Sequence, residues 1–115
     1  MSALLALQFQ FPRLVAALIT QAAAMGYDCT LGEAWRTPEQ AAIYAAEGKG
    51  IAHSEHCNKL AIDLSLFKYG VYLTDTAAYA ALGAWWKLQH PAARWGGDFA
   101  RADGNHFSLE FEGIS

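Results

Sequence analysis

Residues 54–64 read SEHCNKLAIDL, and the fold prediction for this chain starts from them. The stretch begins as a polar loop and continues as a strand, and it carries His56 and Asp63 on the two sides of that boundary. From Leu60 onward apolar and polar residues alternate, which is typical of a strand with one face on a hydrophobic core. Asp63 is therefore predicted to point away from the apolar layer.

A second strand with the same alternation is predicted over residues 106–111. Its inward positions are Phe107, Leu109 and Phe111. His106 lies on the opposite face, so antiparallel pairing of the two strands would bring Asp63 and His106 to the same face with Cβ atoms about 5 Å apart. Two imidazoles and one carboxylate can hold a catalytic zinc ion and leave a coordination position for water. We predict one Zn²⁺ bound by His56, Asp63 and His106, with Asp103 as the carboxylate that activates the water.

The remaining elements follow from helix formers, glycines and prolines. We predict a helix that starts at Pro12 and ends at Gly26, a strand over 27–35, a helix over 38–47, a loop over 48–58, a hairpin turn at 68–70 and a helix from Thr74 or Asp75 to Gln89. The fold class is then α+β. A small antiparallel sheet would carry helices on its apolar face and a zinc cleft on its polar face, in a single domain of residues 1–115.

Composition limits the partners. The net charge of -3, with both signs interspersed, offers no basic stripe for nucleic acid. Two cysteines, Cys29 and Cys57, are expected to be free thiols. The apolar segment 1–25 lacks a basic n-region and is interrupted by polar residues, so we predict neither a signal peptide nor membrane insertion. We expect a monomer that is made in the cytoplasm.

Four pieces of sequence in a fixed order carry a resemblance to a known family. They are Ser54-x-His56, Ala61-x-Asp63-Leu64, Trp95-Gly96-Gly97 and Asp103-x-x-His106-Phe107, preceded by Trp35-Arg36 and Gln40. Together they resemble the D-alanyl-D-alanine metallopeptidases, and within that family the phage endolysins that act as L-alanyl-D-glutamate endopeptidases. The similarity runs from about residue 35 to residue 111. This chain departs from the family pattern at two positions. The family usually has glycine at the position of Lys59, and it has glutamate or glutamine soon after the histidine-phenylalanine pair, where this chain has Ser108.

The resemblance implies a hedgehog-like peptidase fold in which the same three residues bind zinc and Asp103 is catalytic. It also implies that Arg36 holds a substrate carbonyl or carboxylate, and that Gln40 and Ser54 lie near the substrate. The implied substrate is the stem peptide of bacterial peptidoglycan. The implied setting is phage-driven lysis from the cytoplasm of the bacterial host, with the wall reached after the membrane is permeabilised.

Other interpretations stay open at this stage. A D-alanyl-D-alanine carboxypeptidase or dipeptidase would share every catalytic residue, and a zinc-containing wall-binding module would keep the metal without catalysis. Asp103 alone would also suit a turn, and Arg36 a surface ion pair. His53 and Cys57 are left out of the ligand set, because adjacent His56 and Cys57 would have to bend toward one ion.

Overall fold

The computed structural model describes residues 1–51 and 53–115, and of the loop predicted over 48–58 only Ala52 lies outside the described residues. In chain order these residues form α1 (Ala3–Ala24), β1 (Asp28–Leu31), α2 (Pro38–Ala46), β2 (Ala61–Lys68), β3 (Val71–Tyr72), α3 (Ala80–Lys87), β4 (Ala93–Trp95) and β5 (His106–Leu109). Short 3₁₀ turns lie at Thr76–Tyr79 and Gly96–Asp98. The α+β class predicted from the sequence is confirmed.

The alternating segment forms β2, which is the centre of an antiparallel sheet with the strand order β1-β2-β5-β4. β3 pairs with the end of β2 through the predicted hairpin, where Lys68 faces Val71. In the register of β2 and β5, Asp63 is directly opposite His106. This confirms that the two strands are neighbours and that these two side chains share a face.

The apolar face of the sheet packs against α1 and α3. All four apolar positions of the alternation are buried, namely Leu60, Ile62, Leu64 and Leu66. Trp86 of α3 is fully buried in the same cluster and its Nε1 donates to the carbonyl oxygens of Arg94 and Ser108, at 2.9 and 3.1 Å. Because this indole bond satisfies a polar atom inside the core, burial of the ring carries no unpaired donor.

Helix α1 starts earlier than predicted. It begins at Ala3, where the Ser2 side chain accepts from the Leu5 N–H, and it contains Pro12. The expected start at Pro12 was wrong because a serine cap and a run of good helix formers upstream outweigh the one backbone bond that proline removes. The predicted end is confirmed, since Gly26 adopts a φ of +87° just past the helix.

By length and composition α1 is apolar enough to cross a membrane. The prediction of no membrane insertion rested on the polar residues that interrupt this segment. The helix supplies Phe11, Leu18 and Ala22 to the core, but most of its residues are not buried.

Two further elements differ from the predictions. The helix expected from residue 74 or 75 to 89 is a 3₁₀ turn followed by α3, which ends at Lys87. The segment before Gly96 forms β4, a strand that was not predicted, and β4 pairs with the edge of β5. Helix α2 contributes none of the buried residues of the described core cluster.

Candidate metal centre

Two of the three predicted ligands are held by the sheet and the third by a tight turn. Asp63 and His106 are cross-strand partners on the face away from the core. His56 lies in the turn before β2, where its N–H donates to Ser54 Oγ at 3.2 Å. The turn is further closed by the Leu60 N–H, which donates to the Glu55 carbonyl oxygen at 2.9 Å. His56 is therefore fixed by local backbone bonds beside the first residues of the strand.

The three side chains converge. His56 Nε2 lies 3.2 Å from Asp63 Oδ1, and His106 Nδ1 lies 3.7 Å from the same oxygen. The ring centroids of the two histidines are 5.1 Å apart. One nitrogen of each imidazole and a carboxylate oxygen of Asp63 all lie within 4.8 Å of one another. Distances of this size suit three donors arranged around one small cation.

Burial and charge favour a cation at this point. Burial opposes ionisation of Asp63, but hydrogen bonding and charge from His106 and His56 outweigh it and lower the pKa of the carboxyl to about 2. Its Oδ1 is buried and makes no hydrogen bond of good geometry within the described part of the chain. An ionised, buried oxygen without a satisfied partner beside two imidazoles fits a divalent metal, and the donor set of two nitrogens and one oxygen fits zinc.

The second nitrogen of each histidine faces an oxygen. His56 Nδ1 lies 3.7 Å from Glu33 Oε1, and His106 Nε2 lies 3.3 Å from the main-chain oxygen of Ser115. Histidines that bind metals commonly donate their other N–H to such an oxygen. This arrangement leaves His56 Nε2 and His106 Nδ1 on the side of Asp63.

The centre forms the floor of a cleft of about 610 Å³. Its walls include Arg36, Ser54 and Asp103, so the structure brings these three predicted residues to the same cleft as the ligands. Asp103 is exposed at the rim, and its partial desolvation together with the nearby charge of Asp63 raises the pKa of its carboxyl. Arg36 is mostly buried and ion-paired with Glu33, so its ion pair is part of the cleft and not a surface pair.

The Trp95-Gly96-Gly97 segment allows the loop of Asp103 to approach His106. A Cβ on Gly96 would overlap the Asp103 carbonyl oxygen and the Cβ of His106, and one on Gly97 would overlap the Trp95 ring. The Trp95 indole N–H in turn donates to the Gly104 carbonyl oxygen at 2.7 Å. Only a residue without a side chain leaves room for this close backbone approach.

Other predicted residues lie elsewhere. Gln40 is in the first turn of α2, where its N–H donates to Thr37 Oγ1, and it is not among the residues that line the described part of the cleft. Within the described residues, neither His53 nor Cys57 belongs to the group of metal donors. Cys29 and Cys57 are free, as expected.

The two departures from the family pattern have structural counterparts. Lys59 adopts a φ of +59°, the left-handed conformation that glycine favours, so this lysine keeps the turn that the family's glycine would make. Ser108 is fully buried on the His106 face of β5, and its Oγ has no hydrogen-bond partner within residues 1–51 and 53–115.

Reasoning from the sequence missed three polar residues at the site. Glu33 contacts both Arg36 and His56, and Lys49 and Arg101 line the cleft from two different loops. Glu33 and Arg36 lie between β1 and α2, outside any helix, so their spacing did not indicate the ion pair. Nothing in the local sequence indicates the approach of Glu33 to His56, or the bond from Arg101 Nη1 to the Gly48 carbonyl oxygen at 2.9 Å.

Fold and site together define a small α+β domain with a cleft over a candidate His-Asp-His metal centre. The fold is similar to that in the crystal structure of the L-Ala D-Glu endopeptidase ChiX of Serratia marcescens. The two chains are 24% identical, the match covers 87% of this chain and 80% of that one, and the TM-score is 0.68. No protein-family model matches the chain, and no curated protein sequence matches it. The likeness shows a shared fold.

Proposed function

We propose that this protein is a zinc-dependent peptidase that hydrolyses the L-alanyl-D-glutamate bond in the stem peptide of bacterial peptidoglycan. The observation that carries the proposal is the convergence of His56, Asp63 and His106 beneath a cleft that also contains Asp103. The fold shared with an L-Ala D-Glu endopeptidase supports the choice of substrate. The sequence resemblance to endolysins of that type supports it independently.

The residues present suit the chemistry of peptide hydrolysis. His56, Asp63 and His106 would hold a zinc ion that, when bound, would supply a Lewis acid and lower the pKa of its water to roughly 7. Asp103, at the rim with a raised pKa, is suited to take a proton from the attacking water and to return it to the leaving amine. Arg36 keeps Nη1 free of partners in the described residues, while its Nε and Nη2 face Glu33, so Nη1 is available to a substrate carbonyl.

The charge of the cleft supports an anionic peptide as substrate. The chain has a net charge of -3, yet Arg36, Lys49 and Arg101 all line the cleft. In contrast, its two carboxylates, Asp63 and Asp103, are used for the metal and for proton transfer. Arg36 is paired with Glu33 and Lys49 with Glu47, so Arg101 is the lining cation that has no carboxylate partner within residues 1–51 and 53–115. Its charge complements a carboxylate of a peptidoglycan stem peptide.

Mass spectrometry of purified muropeptides after incubation with the protein tests the proposal. Cleavage is expected to produce a peptide with a new amino terminus at D-glutamate, to stop with a chelator and to return on addition of zinc. Release of free D-alanine would instead support the carboxypeptidase, which shares the same site residues. Retention on cell walls without any cleavage would support a wall-binding module.

The proposal includes phage-driven lysis, in which the enzyme reaches the wall from the cytoplasm only after the membrane is permeabilised. Expression inside bacterial cells is then expected to leave them intact until a permeabilising agent is added, and to lyse them afterwards. Rapid lysis without that agent would contradict this part of the proposal.

A further inference from the structure

We propose that Glu33 is a positioning residue of the metal centre, which orients the imidazole of His56 and the guanidinium of Arg36 with one carboxylate. The inference rests on the proposed function for its effect on catalysis, but its effect on metal binding is independent of the substrate. Glu33 lies two residues beyond the end of β1 and belongs to none of the motifs on which the family resemblance rests.

The backbone fixes Glu33 relative to the ligands. Beyond the end of β1, the Gly32 N–H donates to the Asp63 carbonyl oxygen at 2.8 Å, and the Asp63 N–H donates to the Glu33 carbonyl oxygen at 2.9 Å. Pairing with β2 therefore continues past β1 up to the metal ligand itself. The Glu33 main chain cannot shift without moving Asp63.

The Glu33 carboxylate holds Arg36. Its Oε1 accepts from Arg36 Nε at 2.6 Å and lies 2.5 Å from Arg36 Nη2. The guanidinium also lies over the Tyr44 ring, 5.0 Å from its centroid, and the Arg36 side chain is only 13% exposed. Short, charge-assisted contacts of this kind fix the plane of a guanidinium. They leave Nη1 as the nitrogen available to the cleft.

The same oxygen also faces His56. Glu33 Oε1 is 3.7 Å from His56 Nδ1, a buried nitrogen with no hydrogen-bond partner among the described residues. A negative charge on this side of the ring favours the tautomer that carries its proton on Nδ1. The lone pair is then on Nε2, which is the nitrogen that lies 3.2 Å from Asp63 Oδ1. One carboxylate thus prepares a metal ligand and a substrate-binding cation together.

Glu33→Gln removes the charge and keeps the shape, and Glu39→Gln, on the exposed first turn of α2, is its matched control. We expect zinc affinity, measured by competition with a chromogenic chelator, to fall roughly 10- to 100-fold in Glu33→Gln and to stay unchanged in the control. The absorption spectrum of the cobalt-substituted protein is expected to shift only in Glu33→Gln. In muropeptide cleavage, kcat is expected to fall and KM to rise, because both the metal centre and Arg36 are disturbed.

Wild-type zinc affinity and an unchanged cobalt spectrum in Glu33→Gln would overturn the inference. If Glu33→Gln does not fold, Glu33→Asp provides the second test, since it keeps the charge but withdraws it from both partners. Wild-type zinc affinity in Glu33→Asp would then overturn the inference, and weakened affinity would support it. A wild-type protein that binds zinc tightly but cleaves no muropeptide would refute the proposed function while the Glu33 result still stands.

Discussion

Asp63 and Asp103 are two aspartates beside the same pair of histidines, but their surroundings move their pKa values in opposite directions. Burial disfavours the charge of Asp63, yet contacts with both imidazoles overcome this and lower the pKa to about 2. Partial desolvation and the charge of Asp63 raise the pKa of Asp103. Opposed shifts in neighbouring carboxyls are typical of sites that divide tasks between them. Here Asp63 is suited to hold a cation and Asp103 to exchange a proton.

Asp103→Asn is expected to keep the fold and zinc binding but to lower kcat for muropeptide cleavage about a hundredfold to ten-thousandfold, because the amide cannot take a proton from water. Asp98→Asn is the control in a neighbouring turn, where the carboxylate only pairs with Lys87 on the surface. Equal rates for wild type and Asp103→Asn would remove Asp103 from the mechanism.

Glu55 makes the stability of the metal-free protein depend on pH. Burial, aided by the charge of Glu110, raises the pKa of Glu55 from 4.5 to about 7 although Asn58 donates a hydrogen bond to it. The folded state therefore binds this proton more tightly than the unfolded state. The stabilisation is fully present below pH 4.5 and is lost as the pH rises through about 7.

Urea denaturation of wild type and Glu55→Gln in a chelator checks this prediction. Between pH 4.5 and 7 the free energy of unfolding of wild type is expected to fall relative to that of the variant, by roughly 3 kcal/mol over the range. The comparison with the variant removes the contributions of other titrating groups. A difference that stays constant across this pH range would show that Glu55 is not buried as described.

At the scale of elements, some turns of this protein place a residue other than glycine in the left-handed conformation. The hairpin between β2 and β3 turns through Tyr69 and Gly70, with φ values of +52° and +75°. Two-residue hairpin loops favour positive φ at both positions, and asparagine followed by glycine is the preferred pair. Tyr69 is 93% exposed, so its ring gains little from packing. The turn carries backbone strain that the side chain does not offset.

Tyr69→Asn is expected to stabilise the protein by about 0.5–1 kcal/mol, because asparagine tolerates this conformation better. Tyr69→Val is the opposite test, since a β-branched residue is disfavoured at positive φ. The urea midpoints of the two variants should lie on opposite sides of the wild-type value. If both substitutions shifted the urea midpoint in the same direction, the assignment of backbone strain to Tyr69 would be contradicted.

At the scale of the whole molecule, the sheet separates two environments. One face is covered by α1 and α3 and is apolar, and the other carries the metal ligands and the cleft. The apolar core does not depend on the metal, so we expect the metal-free protein to be folded. Zinc is then expected to add stability that grows with the logarithm of its free concentration relative to Kd.

Zinc is expected to raise the Tm of the wild-type protein, since a free concentration about a hundredfold above Kd adds about 2.7 kcal/mol. His106→Ala should lose this rise. His90→Ala is the matched control, because His90 forms a hydrogen bond with Gln10 away from the cleft. This variant should keep the zinc-induced rise in Tm. Differential scanning calorimetry with and without a chelator measures the effect. A zinc-induced rise that survives in His106→Ala would place the metal elsewhere.

The charge of the cleft leads to a prediction about substrates. Arg101→Gln is expected to lower kcat/KM for a stem peptide with a free D-glutamate α-carboxylate by about fivefold, as an exposed ion pair of about 1 kcal/mol implies. The same substitution should leave kcat/KM unchanged for the peptide in which that carboxylate is amidated. Arg13→Gln, on α1 and outside the cleft, is the control. Equal losses on both peptides would contradict carboxylate recognition by Arg101.

The local pattern of the chain predicted much of the site. Alternation along β2 and β5 correctly placed Asp63 and His106 on one face, because side-chain direction in a strand follows from the backbone alone. The hairpin at Lys68 and the end of α1 at Gly26 were predicted for the same local reason. The order of the motifs indicated His56 and Asp103 as further site residues.

What the sequence by itself determined is therefore most of the helices and strands, the polar face of the central strands and the three candidate ligands. Only the tertiary structure decided that Glu33 reaches His56, that Lys49 and Arg101 line the cleft, that Gln40 does not, and that β4 covers β5. These contacts join residues far apart in the chain. Their geometry depends on how strands pair and loops cross, and no local periodicity encodes that pairing.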